Sequence, residues 1–164
     1  MNLLDAIGAL TAAVPDPAAG LPDAVFLYVS RTTPLVNVDL LIKDERGRTL
    51  LSWRNDAYSG SGWHVPNDIV RFKETLEARI EKVAETEIGH PVRYEAGPIA
   101  LHQLIDPGRD IRGHFISLLY RCFLSSDQPL ENGGRAAGDS GYLQWHERCP
   151  DDLIAVHGIY REHL

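Results

Sequence analysis

The stretch Glu74-Thr75-Leu76-Glu77-Ala78-Arg79-Ile80-Glu81-Lys82-Val83-Ala84-Glu85-Thr86-Glu87-Ile88-Gly89 decides the reading of this chain. At about 100° per residue, Leu76, Ile80, Val83 and Ala84 share one side of a helical wheel, and Glu87 lands between Leu76 and Ile80. Glu74, Glu77, Glu81 and Glu85 spread over the other side. The spacing predicts a helix from Lys73 to Ile88, with Glu74 and Glu77 near its positive end and Gly89 and Pro91 beyond its last turn. Glu87 is the residue to explain, because a carboxylate on a core-facing stripe must be paired, protonated or bound to metal. Lys82, Arg71 and Arg79 are its candidate ion-pair partners.

Working outward, Val36 to Lys43 and Thr49 to Trp53 are strand-like runs, joined as a hairpin by the polar turn Asp44-Glu45-Arg46-Gly47. Residues 55–62, rich in Ser, Gly and Asp, read as a loop leading to Trp63-His64-Val65. Tyr94 to Leu104 and Ile111 to Leu124 are further strand candidates about the turn Asp106-Pro107-Gly108. Residues 125–141 read as a loop, and Pro150-Asp151-Asp152 opens a C-terminal helix reaching about Glu162. Upstream, Leu3 to Val14 forms a short helix ended by Pro15-Asp16-Pro17, and Asp23 to Ser30 is a second helix or an extended lead-in.

The chain has 164 residues, 44% of them apolar, which suits one domain with one ordinary core. A net charge of −7 argues against nonspecific binding to nucleic acid or to an anionic membrane, so any phosphate must be met by local cations. Cys122 and Cys149 are far apart in sequence and read as free thiols of a cytoplasmic protein. The apolar N-terminus has no basic region and does not read as a signal peptide, and no apolar run approaches membrane-spanning length. His64, His90, His146, His157 and His163 have no spacing that suggests a joint metal site, His102 and His114 sit in or beside the later strand candidates, and Trp53 and Trp63 read as buried anchors or as stacking platforms for a base.

Pro66, Glu74, Lys82, Glu87 and Gly89 follow the spacing of the Nudix box, whose usual form is Gly-Gly, five residues, Glu, seven residues, then Arg-Glu-hydrophobic-x-Glu-Glu-x-Gly. The wider text, from Thr33-Pro34-Leu35-Val36-Asn37-Val38-Asp39 through Gly47-Arg48-Thr49-Leu50-Leu51 and Arg54, resembles the GDP-mannose mannosyl hydrolase branch of the Nudix hydrolases. The resemblance begins near Leu21, which leaves residues 1–20 as an appendage or dimer contact and 21–164 as the Nudix-like domain. It implies an α/β/α sandwich about a mixed sheet. Departures are equally plain: Asn67-Asp68 stands where the family has Gly-Gly, Ile69 replaces a cation of that branch, Lys82 replaces the box arginine, and Val83 and Thr86 occupy positions of two metal-binding glutamates.

What the resemblance implies for function is a Mg2+- or Mn2+-dependent hydrolase of a nucleoside diphosphate derivative such as GDP-mannose, cytoplasmic, with a homodimer as one expected assembly. The metal would be held by Glu87 and the backbone carbonyl of Asn67, and the substrate by Asp39 and Arg54. In that branch a Gln-His pair in the loop before a late Trp supplies a ligand and the general base. Counting back from Trp145 puts Asp139 at the Gln and Ser140 at the His, so Asp139 is the candidate ligand or base. The rival expectation is a binding or regulatory protein that kept the fold and lost turnover.

Overall fold

The computed structural model describes residues 2–164. Eight strands, β1 (Leu35–Lys43), β2 (Thr49–Asp56), β3 (Gly60–His64), β4 (Asn67–Ile69), β5 (Arg93–Tyr94), β6 (Ala100–Ile105), β7 (His114–Phe123) and β8 (Leu143–His146), form one sheet. Its central path runs β3-β2-β1-β7-β5, with β4 paired to β1, β6 to β7 and β8 to β2. The β1–β7 pair is parallel and the remaining strand pairs are antiparallel, so the sheet is mixed. Three α-helices accompany it: α1 (Leu3–Ala13), α2 (Asp23–Thr32) and α3 (Leu76–Val83).

Period-two alternation along β1 splits the core between the two faces of the sheet. Val38, Leu40 and Ile42 pack with Ile80, Val83, Ala84 and Ile88 on one face. On the other, Leu41 packs with Leu119, Trp63 and Tyr160, the last from a 3-10 helix at Ala155–His163. The result is the expected α/β sandwich. Each fully buried aliphatic side chain such as Ile80 contributes about 1.5–3 kcal/mol through area removed from water.

The predicted helix stripe holds, but its limits shift. Lys73 sits at φ 59, a left-handed conformation that cannot begin a helix. The start is instead Thr75, whose hydroxyl accepts from the Ala78 N–H at 3.1 Å. Beyond Val83 the chain widens into a π turn, Ala84–Ile88, closed by the Gly89 N–H on the Ala84 carbonyl at 3.0 Å with Gly89 at φ 79. That turn rotates Glu87 out of the α-helical phase, leaving its side chain 26% exposed.

Three further expectations change. Residues 55–62 form not one loop but the end of β2, a tight turn and the start of β3. Asp56 accepts the N–H groups of Tyr58 and Ser59, which folds the chain back on itself. The run from Tyr94 to Leu104 divides into β5 and β6, and the C-terminal helix is 3-10 in type and begins only at Ala155. Gly62 is required where that C-terminal segment docks: a Cβ there would collide with the Asp152 carbonyl, which accepts the Trp63 N–H at 2.9 Å.

Candidate active site

One end of β1 and β4 opens onto a cavity of about 1110 Å³ that reaches α2 and the N-terminal segment. Asp39 stands on its wall, 1% exposed, in the middle of β1. Its Oδ2 accepts hydrogen bonds from Ser117 Oγ of β7 and, at 3.0 Å, from the Tyr160 hydroxyl. Burial pushes its pKa up to about 6; the bonds from Ser117 and Tyr160 oppose that rise, and the charge of Glu87 adds to it.

Across the β1–β4 ladder, Asn67 lies opposite Asp39. The Leu40 N–H bonds the Pro66 carbonyl at 2.9 Å and the Val70 N–H bonds the Val36 carbonyl at 2.8 Å. By the alternation of an antiparallel pair, Asp39 and Asn67 then form a non-hydrogen-bonded pair, and the Asn67 carbonyl is turned away from β1. The Asn67 side-chain amide donates to the Val65 carbonyl at 2.8 Å and lies 3.5 Å from His157 Nε2. His157 Nδ1 accepts the Val65 N–H at 3.0 Å, so the proton of the neutral ring is on Nε2. Burial first, then the charges of His64 and Arg54, hold its pKa well below the usual value. Two N–H donors therefore converge at the cavity wall, an arrangement suited to an oxygen acceptor.

Glu87 lies beside the cavity rather than on its lining. Its Oε2 is 3.5 Å from His64 Nε2. None of the ion pairs expected for it forms. Arg79, 2% exposed, gives both Nε and Nη2 to Glu74 at 2.8 and 2.9 Å and Nη1 to Asp68 at 2.5 Å, while Lys82 pairs with Glu85 at 2.8 Å. That bidentate clamp explains Asp68: where the family has a glycine, this chain has a carboxylate that ties β4 to α3. Desolvation pushes the Glu74 pKa up, but the bonds from Arg79 and Arg71 outweigh it and hold the carboxyl below its usual range.

His64 Nδ1 is 2.7 Å from the Ser52 carbonyl, which only accepts, so Nδ1 carries the proton. Nε2 is then a buried lone pair without a hydrogen-bond partner. Leaving such an atom unpaired costs about 1–3 kcal/mol. Imidazole nitrogen and carboxylate oxygen 3.5 Å apart are atoms of the kinds a divalent ion takes. Among the described residues no three His, Cys, Asp or Glu side chains gather as a metal cluster, so backbone and non-protein oxygens would complete the shell.

Most of the remaining wall is apolar, from residues such as Phe26, Leu35, Phe72 and Phe115, with four arginines set among them. Arg54, Arg71, Arg109 and Arg112 all line the cavity. Arg54 lies 3.5 Å from Asp56 and is partly exposed, and the Arg112 guanidinium sits 4.8 Å from the Tyr58 ring centre.

Of the residues expected from sequence, Asp39, Arg54 and Asn67 line one cavity and Glu87 lies beside it. Asp139 is exposed in its loop, accepting the Ala136 N–H at 2.7 Å, and is not on the cavity wall. His64, His157, Ser117, Tyr160, Arg109 and Arg112 are site residues that sequence reasoning left without a role. A hydroxyl or imidazole on an otherwise apolar run, as at Ser117 and Tyr160, was the one signal that pointed to them.

No family model matches the chain. It is 30% identical over 115 residues to the low-salt glycan biosynthesis protein Agl8 of Haloferax volcanii, a match covering 68% of this chain and 72% of that protein. Among solved structures it resembles a MutT Nudix hydrolase from Burkholderia pseudomallei, with a TM-score of 0.62 and 21% identity over 80% of this chain and 98% of that one. It also resembles a bifunctional NMN adenylyltransferase/ADP ribose pyrophosphatase from Francisella tularensis complexed with AMP and a manganese ion. There the TM-score is 0.54 and the identity 17%, over 80% of this chain and 39% of that one. The chain therefore has the Nudix fold and belongs to the same family as Agl8.

Proposed function

We propose that this protein is a divalent-metal-dependent Nudix-type hydrolase of a nucleoside diphosphate derivative, most like a nucleotide sugar such as GDP-mannose. The observation that carries the reading is one cavity whose lining includes three arginines, Arg54, Arg109 and Arg112, with the buried carboxylate Asp39 and the donors of Asn67 and His157. A diphosphate needs the first set. A sugar hydroxyl needs the second.

Mg2+ or Mn2+, held by Glu87 and the Asn67 carbonyl, would neutralise charge on the departing diphosphate. Arg54 orients the diphosphate, and Asp39, fixed by Ser117 and Tyr160, accepts from a sugar hydroxyl. Water adds to the anomeric carbon, the bond from that carbon to the diphosphate oxygen breaks, and the water's proton passes to a base. Asp139 is the residue we assign to that role, on its place before Trp145, and it fills the role only when its loop carries it to the cavity, where it does not stand here. We read the exposed side chains of Leu3, Leu4, Ile7 and Leu10 on α1 as a contact of a cytoplasmic homodimer. No helix among the described residues is long and apolar enough to cross a membrane.

A second reading, a nucleotide-sugar-binding or regulatory protein without turnover, is favoured by the engagement of Asp139 with its own loop. A hydrolysis screen over nucleotide sugars and dinucleotides, with and without Mg2+ or Mn2+, separates the two. Metal-dependent product release selects the hydrolase, and binding without product selects the second reading.

A further inference from the structure

We propose that His64 Nε2 and Glu87 Oε2 are two ligands of one divalent ion, and that the imidazole makes the site prefer a transition metal to magnesium. This rests on the metal-dependent reading above and names the ion class of that same site. His64 is fixed before any ion arrives. Its place opposite Ser52 in the β2–β3 ladder puts Nδ1 2.7 Å from the Ser52 carbonyl, and the side chain is only 4% exposed.

An imidazole N–H held by a backbone carbonyl, with the other nitrogen free, is the usual support of a metal-binding histidine. The free nitrogen here has no hydrogen-bond partner and lies 3.5 Å from a carboxylate oxygen. Two electron-rich atoms at that distance are stabilised by a cation that both can reach.

The separation is too long for a charge-assisted hydrogen bond. A charge-assisted N–H···O bond closes to about 2.7–2.9 Å, yet these atoms stand 3.5 Å apart. A divalent ion there would be held by the imidazole nitrogen and the carboxylate oxygen together. No protein cation competes for Glu87, because Arg79 is committed to Glu74 and Asp68, and Lys82 to Glu85. His157, whose ring centre is 5.9 Å from that of His64, has its Nδ1 occupied by the Val65 N–H. Imidazole nitrogen suits first-row transition ions, whereas magnesium prefers oxygen and gives up water reluctantly.

The test is calorimetry of Mg2+, Mn2+, Co2+ and Zn2+ with the full chain, its His64→Gln variant and its Glu87→Gln variant. It is joined by long-range nitrogen–proton spectra of the wild-type histidine rings during Zn2+ addition. The expected result is one site that binds Co2+ and Zn2+ at least about 10-fold more tightly than Mg2+, with a wild-type Nε2 resonance of His64 that moves on Zn2+ binding. His64→Gln should weaken Zn2+ binding at least about 10-fold and barely change Mg2+ binding, while Glu87→Gln weakens both. The wild-type spectra keep the test valid if a variant misfolds. If ions bind and depend on Glu87 while the His64 ring stays unmoved, the ligand assignment to His64 is overturned and the metal-dependent reading stands. If the wild-type chain binds none of the four ions, both fall.

Discussion

Replacing Asp39 by asparagine should stabilise the fold at neutral pH, and by a calculable amount. In the folded chain the Asp39 carboxyl titrates near 6, chiefly because burial disfavours its charge, against 3.8 for a free side chain. Below about pH 4 both folded and unfolded forms are protonated, and no penalty arises. Between about pH 4 and pH 6 the folded state holds a proton that the unfolded state has released, so stability falls as pH rises. Above pH 6 the full cost is present. The gap between 3.8 and about 6, at about 1.4 kcal/mol per pH unit, corresponds to about 3 kcal/mol. Asparagine offers Ser117 and Tyr160 the same acceptor and never ionises. Urea denaturation of both proteins at pH 3.5 and pH 8 should therefore show an advantage of Asp39→Asn that is about 3 kcal/mol larger at pH 8, roughly 6–12 °C in Tm for a domain of this size. A pH-independent difference, or a wild type more stable than the variant at pH 8, would refute the reasoning. A natural sequence that keeps the costly carboxylate uses it, so the stabilised variant should also bind nucleotide sugar more weakly.

Removing the clamp with Arg79→Met leaves Asp68 and Glu74 without their buried cation and should cost about 3–5 kcal/mol in denaturant titrations. Ile80→Ala, in the middle of the α3 stripe, should cost about 2–5 kcal/mol by the same assay, and an unchanged midpoint would contradict its burial. If α1 is the proposed dimer contact, placing glutamates at Leu4 and Ile7 should give a monomer in light scattering without loss of melting temperature, because α1 buries none of its residues against the domain. Turnover of GDP-mannose should be weak against that of a Nudix enzyme with a loop histidine, since a positioned base is worth about 100-fold to 10,000-fold. Brisk turnover abolished by Asp139→Asn would show that the loop brings its own base to the cavity.

Where the sequence was legible, the signal was local and periodic. The α3 stripe, β1 and the Asp44–Gly47 turn follow from spacing alone, because burial of one face imposes its period on nearby residues. The π turn was not legible: no residue type demands the extra residue, and it moved Glu87 away from the position an α-helical wheel assigns. The Asp56 turn was misread because the same Ser, Gly and Asp residues that mark a long loop also make a tight hairpin. For the site, Asp39, Asn67, Arg54 and Glu87 stood out by family spacing, yet their partners did not. His64, Ser117, His157 and Tyr160 come from three separated segments and meet only through strand register and the docking of the C-terminal 3-10 helix, which sequence spacing does not encode.

The claim shared by both functional readings is that the cavity beside Asp39 holds a nucleoside diphosphate, and titration calorimetry tests it most directly. GDP-mannose, GDP and free mannose are titrated into the wild-type chain and an Arg54→Gln variant, with Mn2+ present. The account predicts binding of GDP-mannose and GDP but not of mannose, weakened about 10-fold to 100-fold in Arg54→Gln, as expected for loss of one charge-assisted bond of about 1.5–3 kcal/mol. Failure of these nucleotides and of other nucleoside diphosphates to bind, or equal binding by the variant, would contradict it.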